Sequence, residues 1–112
     1  MTSDGAHEPF STIDASTANE KLSVGQLEVI DVRMPFDYAG AHIPGSLNLP
    51  NKAIRFRKGE VPADKELLFV SEDGKRSVEV CRLAAELGFK DIFNLEGGFS
   101  AWTAAGYEVE TI

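Results

Sequence analysis

The sequence has one cysteine, a shortage of cations and no long apolar run, and each shortage argues against a class of protein. A single cysteine, Cys81, cannot form a disulfide within the chain and disfavours a cysteine-based metal site, so no metal is predicted. Eleven Lys and Arg against 18 Asp and Glu give a net charge of -7, which disfavours nucleic acid as a partner because phosphate contacts need clustered cations. No apolar run reaches the length of a membrane span, so no membrane partner is predicted either.

The N-terminus and the length favour one cytoplasmic domain. "MTSDGAHE" has neither a basic start nor an apolar stretch, so no signal peptide is predicted. Residues 1–9 are polar and predicted to be flexible, and residues 10–112 have the length of a single domain. A lone cysteine agrees with a reducing compartment. We predict a cytoplasmic monomer that needs no cofactor.

Short apolar strands alternate with helical patterns along the chain. Asp14 is expected to cap a helix that ends at Gly25, Lys75 to Leu87 show helical periodicity, and "GGFSAWTAAG" is expected to form a last helix. Alternation of this kind implies crossover connections and a parallel sheet covered on both faces. The fold class predicted is α/β, with a central parallel sheet of about five strands flanked by helices on both faces. Four of these strands are assigned to the segments "LEVIDV", "SLNLP", "ELLFV" and "DIFNL".

The segment "SEDGKR" follows the strand "ELLFV" and precedes the second long helix. Ligands of parallel sheets bind beyond the carboxyl ends of the strands, where loops lead into helix N-termini. Gly74 can adopt a positive φ, and the successive amides of such a loop can turn inward around an anion. The alternative is an ordinary turn with solvated charges. The predicted anion-binding loop consists of Glu72, Asp73, Gly74, Lys75, Arg76 and Ser77, with Ser71 at its mouth.

Two longer segments resemble a known family. "VIDVRMPFDYAGAHIPGSLNLP" is similar to the first signature of rhodanese-like domains, a strand ending in Asp-x-Arg followed by His-Ile-Pro-Gly. "GKRSVEVCRLAAELGFKDIFNLEGGFSAWTAAGYEVE" is similar to their second half, with the Gly-x-Arg-Ser turn and the "LEGGFSAW" segment. The resemblance extends from about Phe10 to Glu110, in the order of the family's motifs. It implies the single-domain rhodanese fold, with a three-layer arrangement of helices around the sheet.

The resemblance implies sulfur transfer, but the sequence differs from the family at the residue that carries the sulfur. In the family, a loop cysteine takes sulfane sulfur from thiosulfate or a related donor, holds it as a persulfide and passes it to cyanide or another thiophile. The position that matches this cysteine is Ser71. A serine hydroxyl is a far weaker acid than a thiol, so persulfide chemistry is expected to be absent. What remains is an anion-binding or partner-binding module, and the ligand implied is a small sulfur-containing anion such as thiosulfate, or a persulfide-donor protein.

Four other interpretations stay open from the sequence. Ser71 can be natural, or it can be an engineered replacement of cysteine in an active sulfurtransferase. A dual-specificity phosphatase is disfavoured because those relatives also need the cysteine and have a loop one residue longer. A serine hydrolase needs a base, and the two histidines are His7 in the polar N-terminus and His42 in "HIPG". A purely structural module would bind no anion.

Several residues have a structural and a functional interpretation. His42 is expected to brace its turn, as its counterpart in the family does, and Cys81 is expected to pack in the core. Asp31 and Arg33 end a strand on the ligand side, where Arg33 is expected to pair with Asp31 or Asp37. The supporting residues predicted for the site are Asp31, Arg33 and His42. The cations of "NKAIRFRK", Asn51 to Lys58, either contact a partner or form a solvated face.

Overall fold

A computed structural model describes residues 8–112. Most of the segment predicted to be flexible, including His7, lies outside the described residues. Glu8 is described, and its carboxylate accepts a 3.0 Å hydrogen bond from Nε of Arg82. The elements in chain order are β1 Ser11–Ile13, α1 Ala15–Ser23, β2 Leu27–Asp31, α2 Pro35–Gly40, β3 Leu47–Asn48, the 3-10 turns Asn51–Ala53 and Lys58–Glu60, β4 Glu66–Val70, α3 Arg76–Glu86, β5 Ile92–Leu95 and α4 Gly98–Ala104.

The five strands form one parallel sheet in the order β1-β5-β4-β2-β3, which confirms the predicted fold class. β4 lies at the centre, with Phe69 opposite Ile30 on one side and Asn94 on the other. β1 is the strand that the sequence did not assign. It has three residues, two of them exposed, and pairs only with β5 at the edge of the sheet, so it carries almost no apolar signal.

Apolar side chains fill both faces of the sheet. In β4, Leu67 and Phe69 face α3 and the 3-10 turns, whereas Leu68 and Val70 face α1 and α4. Successive strand residues point to opposite faces, so a strand covered on both faces needs an uninterrupted apolar run. Trp102 of α4 is 1% exposed and packs in the core on the α1 and α4 side of the sheet.

The ends of the helices follow local chemistry. Asp14 caps α1 as predicted, because its carboxylate accepts a 2.9 Å hydrogen bond from the amide of Thr17. Pro35 opens α2, where its missing N–H costs nothing. Within residues 8–112, no helix has the length and apolar character needed to cross a membrane.

Candidate functional site

The segment between β4 and α3 closes on the hydroxyl of Ser71. Ser71 follows the carboxyl end of β4 and is 3% exposed. Its Oγ accepts hydrogen bonds from the amide of Gly74 at 3.1 Å and from the amide of Ser77 at 3.2 Å. Gly74 has φ +85°, the left-handed conformation expected of it. Two of the amides predicted to face an anion therefore face the hydroxyl of Ser71.

A buried chain of polar side chains supports this loop from behind. The Oγ atoms of Ser71 and Ser77 lie 2.9 Å apart, and the hydroxyl of Ser77 donates to Oδ1 of Asn94 at 2.5 Å. Nδ2 of Asn94 donates in turn to the carbonyl of Gly74 at 3.1 Å. Asn94 is not among the site residues predicted from the sequence. The available signal was a polar residue in the apolar strand "IFNL", close to the carboxyl end of the sheet.

The N-terminus of α4 holds the loop from a third side. The amide of Phe99 donates to the carbonyl of Ser71 at 2.8 Å, and the amide of Ser100 donates to the carbonyl of Glu72 at 3.0 Å. Gly98 permits this approach, since a Cβ there would lie 2.4 Å from the carbonyl oxygen of Ser71. The requirement for glycine at this position was also missed. It depends on a contact between segments far apart in the sequence.

The loop forms one wall of a pocket of about 370 Å³. Both the end of β2 and the start of α2 contribute to the opposite wall, as expected for strands that end at the same edge. Its charged side chains carry both signs, so the pocket is not uniformly cationic. The lining residues are Val32, Arg33, Met34, Asp37, Asn51, Ser71, Glu72, Asp73 and Arg76.

Arg33 is 8% exposed and held by several partners. Its Nη2 lies 2.9 Å from Oδ2 of Asp31 and donates to the carbonyl of Ala41 at 2.6 Å, while Nη1 lies 3.3 Å from Oε1 of Glu72. Its guanidinium carbon lies 4.1 Å from the ring centroid of Phe99. Burial alone would lower the pKa of Arg33, but hydrogen bonds and charge from Asp31 and Glu72 raise it overall. Arg33 therefore stays charged, and its contacts hold the pocket wall in place. Of the two predicted partners, Asp31 and Asp37, it pairs with Asp31.

Lys75 and Arg76 are the two cations of the loop. Both are exposed, and within residues 8–112 neither forms an ion pair. The amide of Lys75 donates to Oδ1 of Asp73 at 3.0 Å. Arg76 lines the pocket together with Ser71.

His42 braces the turn in which it lies. The ring is 4% exposed and stacks on Tyr38, with the centroids 3.8 Å apart. Nδ1 lies 2.7 Å from the carbonyl of Tyr38, and Nε2 lies 3.6 Å from Oε1 of Glu110. The backbone of His42 also pairs with that of Glu110. Neither ring nitrogen of His42 hydrogen-bonds to Ser71, so the histidine among residues 8–112 is not placed as a base for this serine.

Cys81 lies in the core, about a turn and a half into α3. It is 0% exposed, and its Sγ donates a weak hydrogen bond to the carbonyl of Phe93 at 3.6 Å. Burial raises the pKa of the Cys81 thiol to about 12, and the negative charge of Glu8 adds to the rise. A thiol of this kind is almost entirely protonated at neutral pH and is a poor nucleophile.

The basic segment Asn51 to Lys58 lies beside the pocket. Arg57 is paired with Glu60 at 2.8 Å, whereas Arg55 lines a second depression along α3. Phe56 is 88% exposed. The segment thus presents both cations and an aromatic side chain to solvent.

The sequence is similar to one known protein family and to several of its members. The family profile described as "Rhodanese-like domain" matches residues 14–105. The chain belongs to the rhodanese-like family. It is 30% identical over 98 residues to a sulfurtransferase of Allochromatium vinosum. The matched region covers 87% of this chain and 92% of that protein. It is 33% identical to the thiosulfate sulfurtransferase GlpE of Pseudoalteromonas translucida, over 86% of this chain and 91% of the relative.

Solved structures of rhodanese-related proteins have the same fold. A rhodanese-related protein from Thermoplasma volcanium superposes with a TM-score of 0.84 at 28% identity, covering 91% of this chain and 99% of that one. A thiosulfate sulfurtransferase from Pseudomonas aeruginosa gives a TM-score of 0.83 at 26% identity. The match covers 90% of this chain but 19% of that longer chain. The rhodanese-like domain is therefore related to thiosulfate sulfurtransferases at modest identity.

Proposed function

We propose that this rhodanese-like domain does not carry sulfur and acts as a binding module built around Ser71. The observation that carries the proposal is the separation of the chain's one thiol from its loop. Cys81 is buried with a pKa of about 12. The loop has the hydroxyl of Ser71 at the position that matches the family's cysteine. A sulfur carrier needs a thiolate that attacks the donor, and Ser71 cannot supply one.

The chemistry that the loop lacks can be written for a thiol at position 71. A thiolate there would attack the outer sulfur of thiosulfate, and sulfite would leave with the electron pair of the broken S–S bond. Cyanide would then attack the outer sulfur of the persulfide, and thiocyanate would leave while the thiolate is restored. The amides of Gly74 and Ser77 would stabilise the negative charge, because they already converge on this position.

The proposal is tested by a comparison of the chain as written with Ser71→Cys. Thiocyanate formed from thiosulfate and cyanide is measured for both. The chain as written is expected to give the buffer rate, and Ser71→Cys at least about 100 times more, since removal of a nucleophile costs far more than that in other enzymes. Turnover by the chain as written above a heat-denatured control would contradict the proposal.

The ligand proposed for the module is a small sulfur-containing anion such as thiosulfate, or a protein that carries a persulfide. Two features support it, the pocket beside Ser71 and the guanidinium of Arg76, which lines that pocket and forms no ion pair within residues 8–112. In an NMR titration, millimolar thiosulfate or sulfate is expected to shift the amides from Glu72 to Ser77 weakly, because an open, solvated site gains little free energy. Arg76→Ala should remove these shifts, and Arg57→Ala, in the paired exposed cation, is the matched control. Shifts confined to other parts of the chain would contradict this assignment.

The alternative, an engineered exchange of cysteine for serine in an active sulfurtransferase, makes the same prediction for Ser71→Cys. The natural gene distinguishes the two, since codon 71 specifies either serine or cysteine. Cysteine there would make sulfur transfer on a loop persulfide the natural activity.

A further inference from the structure

The hydrogen bonds of Asn94 fix the direction of the buried chain behind the loop. Nδ2 of Asn94 donates to the carbonyl of Gly74 at 3.1 Å, so its Oδ1 faces Ser77. A carboxamide oxygen only accepts, and therefore the hydroxyl of Ser77 donates to it. The opposite orientation of the amide would place two oxygen atoms, Oδ1 and the Gly74 carbonyl, against each other.

This direction leaves Ser77 as an acceptor toward Ser71. The two Oγ atoms are 2.9 Å apart, and Ser71 donates its only hydroxyl hydrogen to Ser77. The lone pairs of Ser71 Oγ accept from the amides of Gly74 and Ser77. A hydroxyl has one donor and two acceptor positions, and all three are in use. Ser71, Ser77 and Asn94 are 3%, 0% and 3% exposed, so the network is complete with a neutral hydroxyl at position 71.

We propose that Asn94 is a positioning residue that turns the hydroxyl of Ser77 away from position 71 and so tunes the site for a neutral group. An anion at that position can only accept, so it would draw the hydrogen of Ser77 to itself. Oδ1 of Asn94 would then be buried without a donor, and an unsatisfied buried acceptor is costly. The inference rests on the proposed function in one respect, that position 71 is where a nucleophile would lie.

The test compares the acidity of a thiol introduced at position 71 with and without Asn94. The pKa is measured for Ser71→Cys and for Ser71→Cys/Asn94→Leu from the pH dependence of iodoacetamide alkylation, with the labelled peptide identified by mass spectrometry. The second variant is expected to have the lower pKa, by about one unit, because Ser77 becomes free to donate to the thiolate. An equal or higher pKa would overturn the inference, and loss of a purely structural contact predicts that result.

A second pair of variants separates the hydroxyl of Ser77 from other effects of the leucine. In Ser71→Cys/Ser77→Ala, the further change Asn94→Leu should not lower the pKa, since no hydroxyl is left to redirect. A lowering that persists without Ser77 would also overturn the inference. Asn94→Ala replaces the leucine if that variant does not fold, as judged from its amide spectrum. The charged groups that line the pocket, Arg33, Asp37, Glu72, Asp73 and Arg76, are the same in all four proteins.

This result and the proposed function can fail separately. Thiocyanate production by the chain as written would refute the proposed function whatever pKa is measured for the introduced thiol. A pKa that does not respond to Asn94 would refute the positioning role, while the absence of sulfur transfer by Ser71 would stand.

Discussion

Ser71 and Cys81 lie at the start and in the middle of the same loop-and-helix unit, and their surroundings are opposite. Ser71 receives two backbone amides, lies just before the positive end of α3 and lines a pocket. Cys81 is enclosed by apolar side chains and has a pKa of about 12. Two backbone amides that could stabilise a thiolate thus converge on position 71, whereas the one thiol of the sequence lies at position 81. Thiol reactivity depends on surroundings that stabilise the thiolate, and the proposed lack of sulfur transfer rests on this contrast between the two positions.

The largest difference expected between the two positions is in alkylation rate. In Ser71→Cys at pH 8, Cys81 should react with iodoacetamide about three orders of magnitude more slowly than a free thiol. A pKa of about 12 leaves a very small thiolate fraction. Its rate should rise with pH toward 12, whereas the introduced thiol should reach its plateau at least about two pH units earlier. Peptide mass spectrometry separates the two sites, and equal rates would remove the contrast.

The contact between the loop and Gly98 of α4 should be the place where one added methyl group lowers the stability of the protein most. Gly98→Ala is expected to lower the free energy of unfolding by about 3 kcal/mol, since its Cβ would lie 2.4 Å from the carbonyl oxygen of Ser71 at φ +62°. Gly106→Ala is the control, with φ +82° and no atom within 4 Å of the added Cβ, and should cost about 1 kcal/mol. Urea unfolding measures both. Equal costs would show that the loop does not depend on this close approach.

A smaller difference is expected when each residue is truncated. Ser71→Ala leaves the amides of Gly74 and Ser77 without their acceptor and should lower the free energy of unfolding by about 2 kcal/mol. Cys81→Ala removes one packed sulfur atom and should cost about 1 kcal/mol. Urea unfolding of both variants gives the ranking. The reverse order would mean that the hydroxyl of Ser71 does not hold the loop.

The sheet was predictable from the sequence because burial on both faces leaves a strong signal. The runs at 27–32 and 66–70 are apolar without alternation, and both form strands of the sheet interior. The edge strand β1 was not predictable in the same way, since two of its three residues are exposed.

The site was predictable where it is local in sequence. The loop from Ser71 to Ser77 and the positive φ of Gly74 follow from a strand, a glycine and a helix in succession. Asn94 and Gly98 act through contacts with residues 17 or more positions away, so their roles needed the fold. The occupation of the loop amides by the hydroxyl of Ser71 also appears only in three dimensions.

The most direct test of the proposed separation of thiol and loop is the intact mass of Ser71→Cys after reaction with thiosulfate. We predict one added sulfur atom per chain, located on the peptide that contains position 71 and removed by cyanide. The chain as written, with Cys81 as its only thiol, should keep its mass under the same conditions. A folded Ser71→Cys protein that takes up no sulfur, or sulfur found on Cys81, would contradict the claim that activation and thiol are separated in this chain.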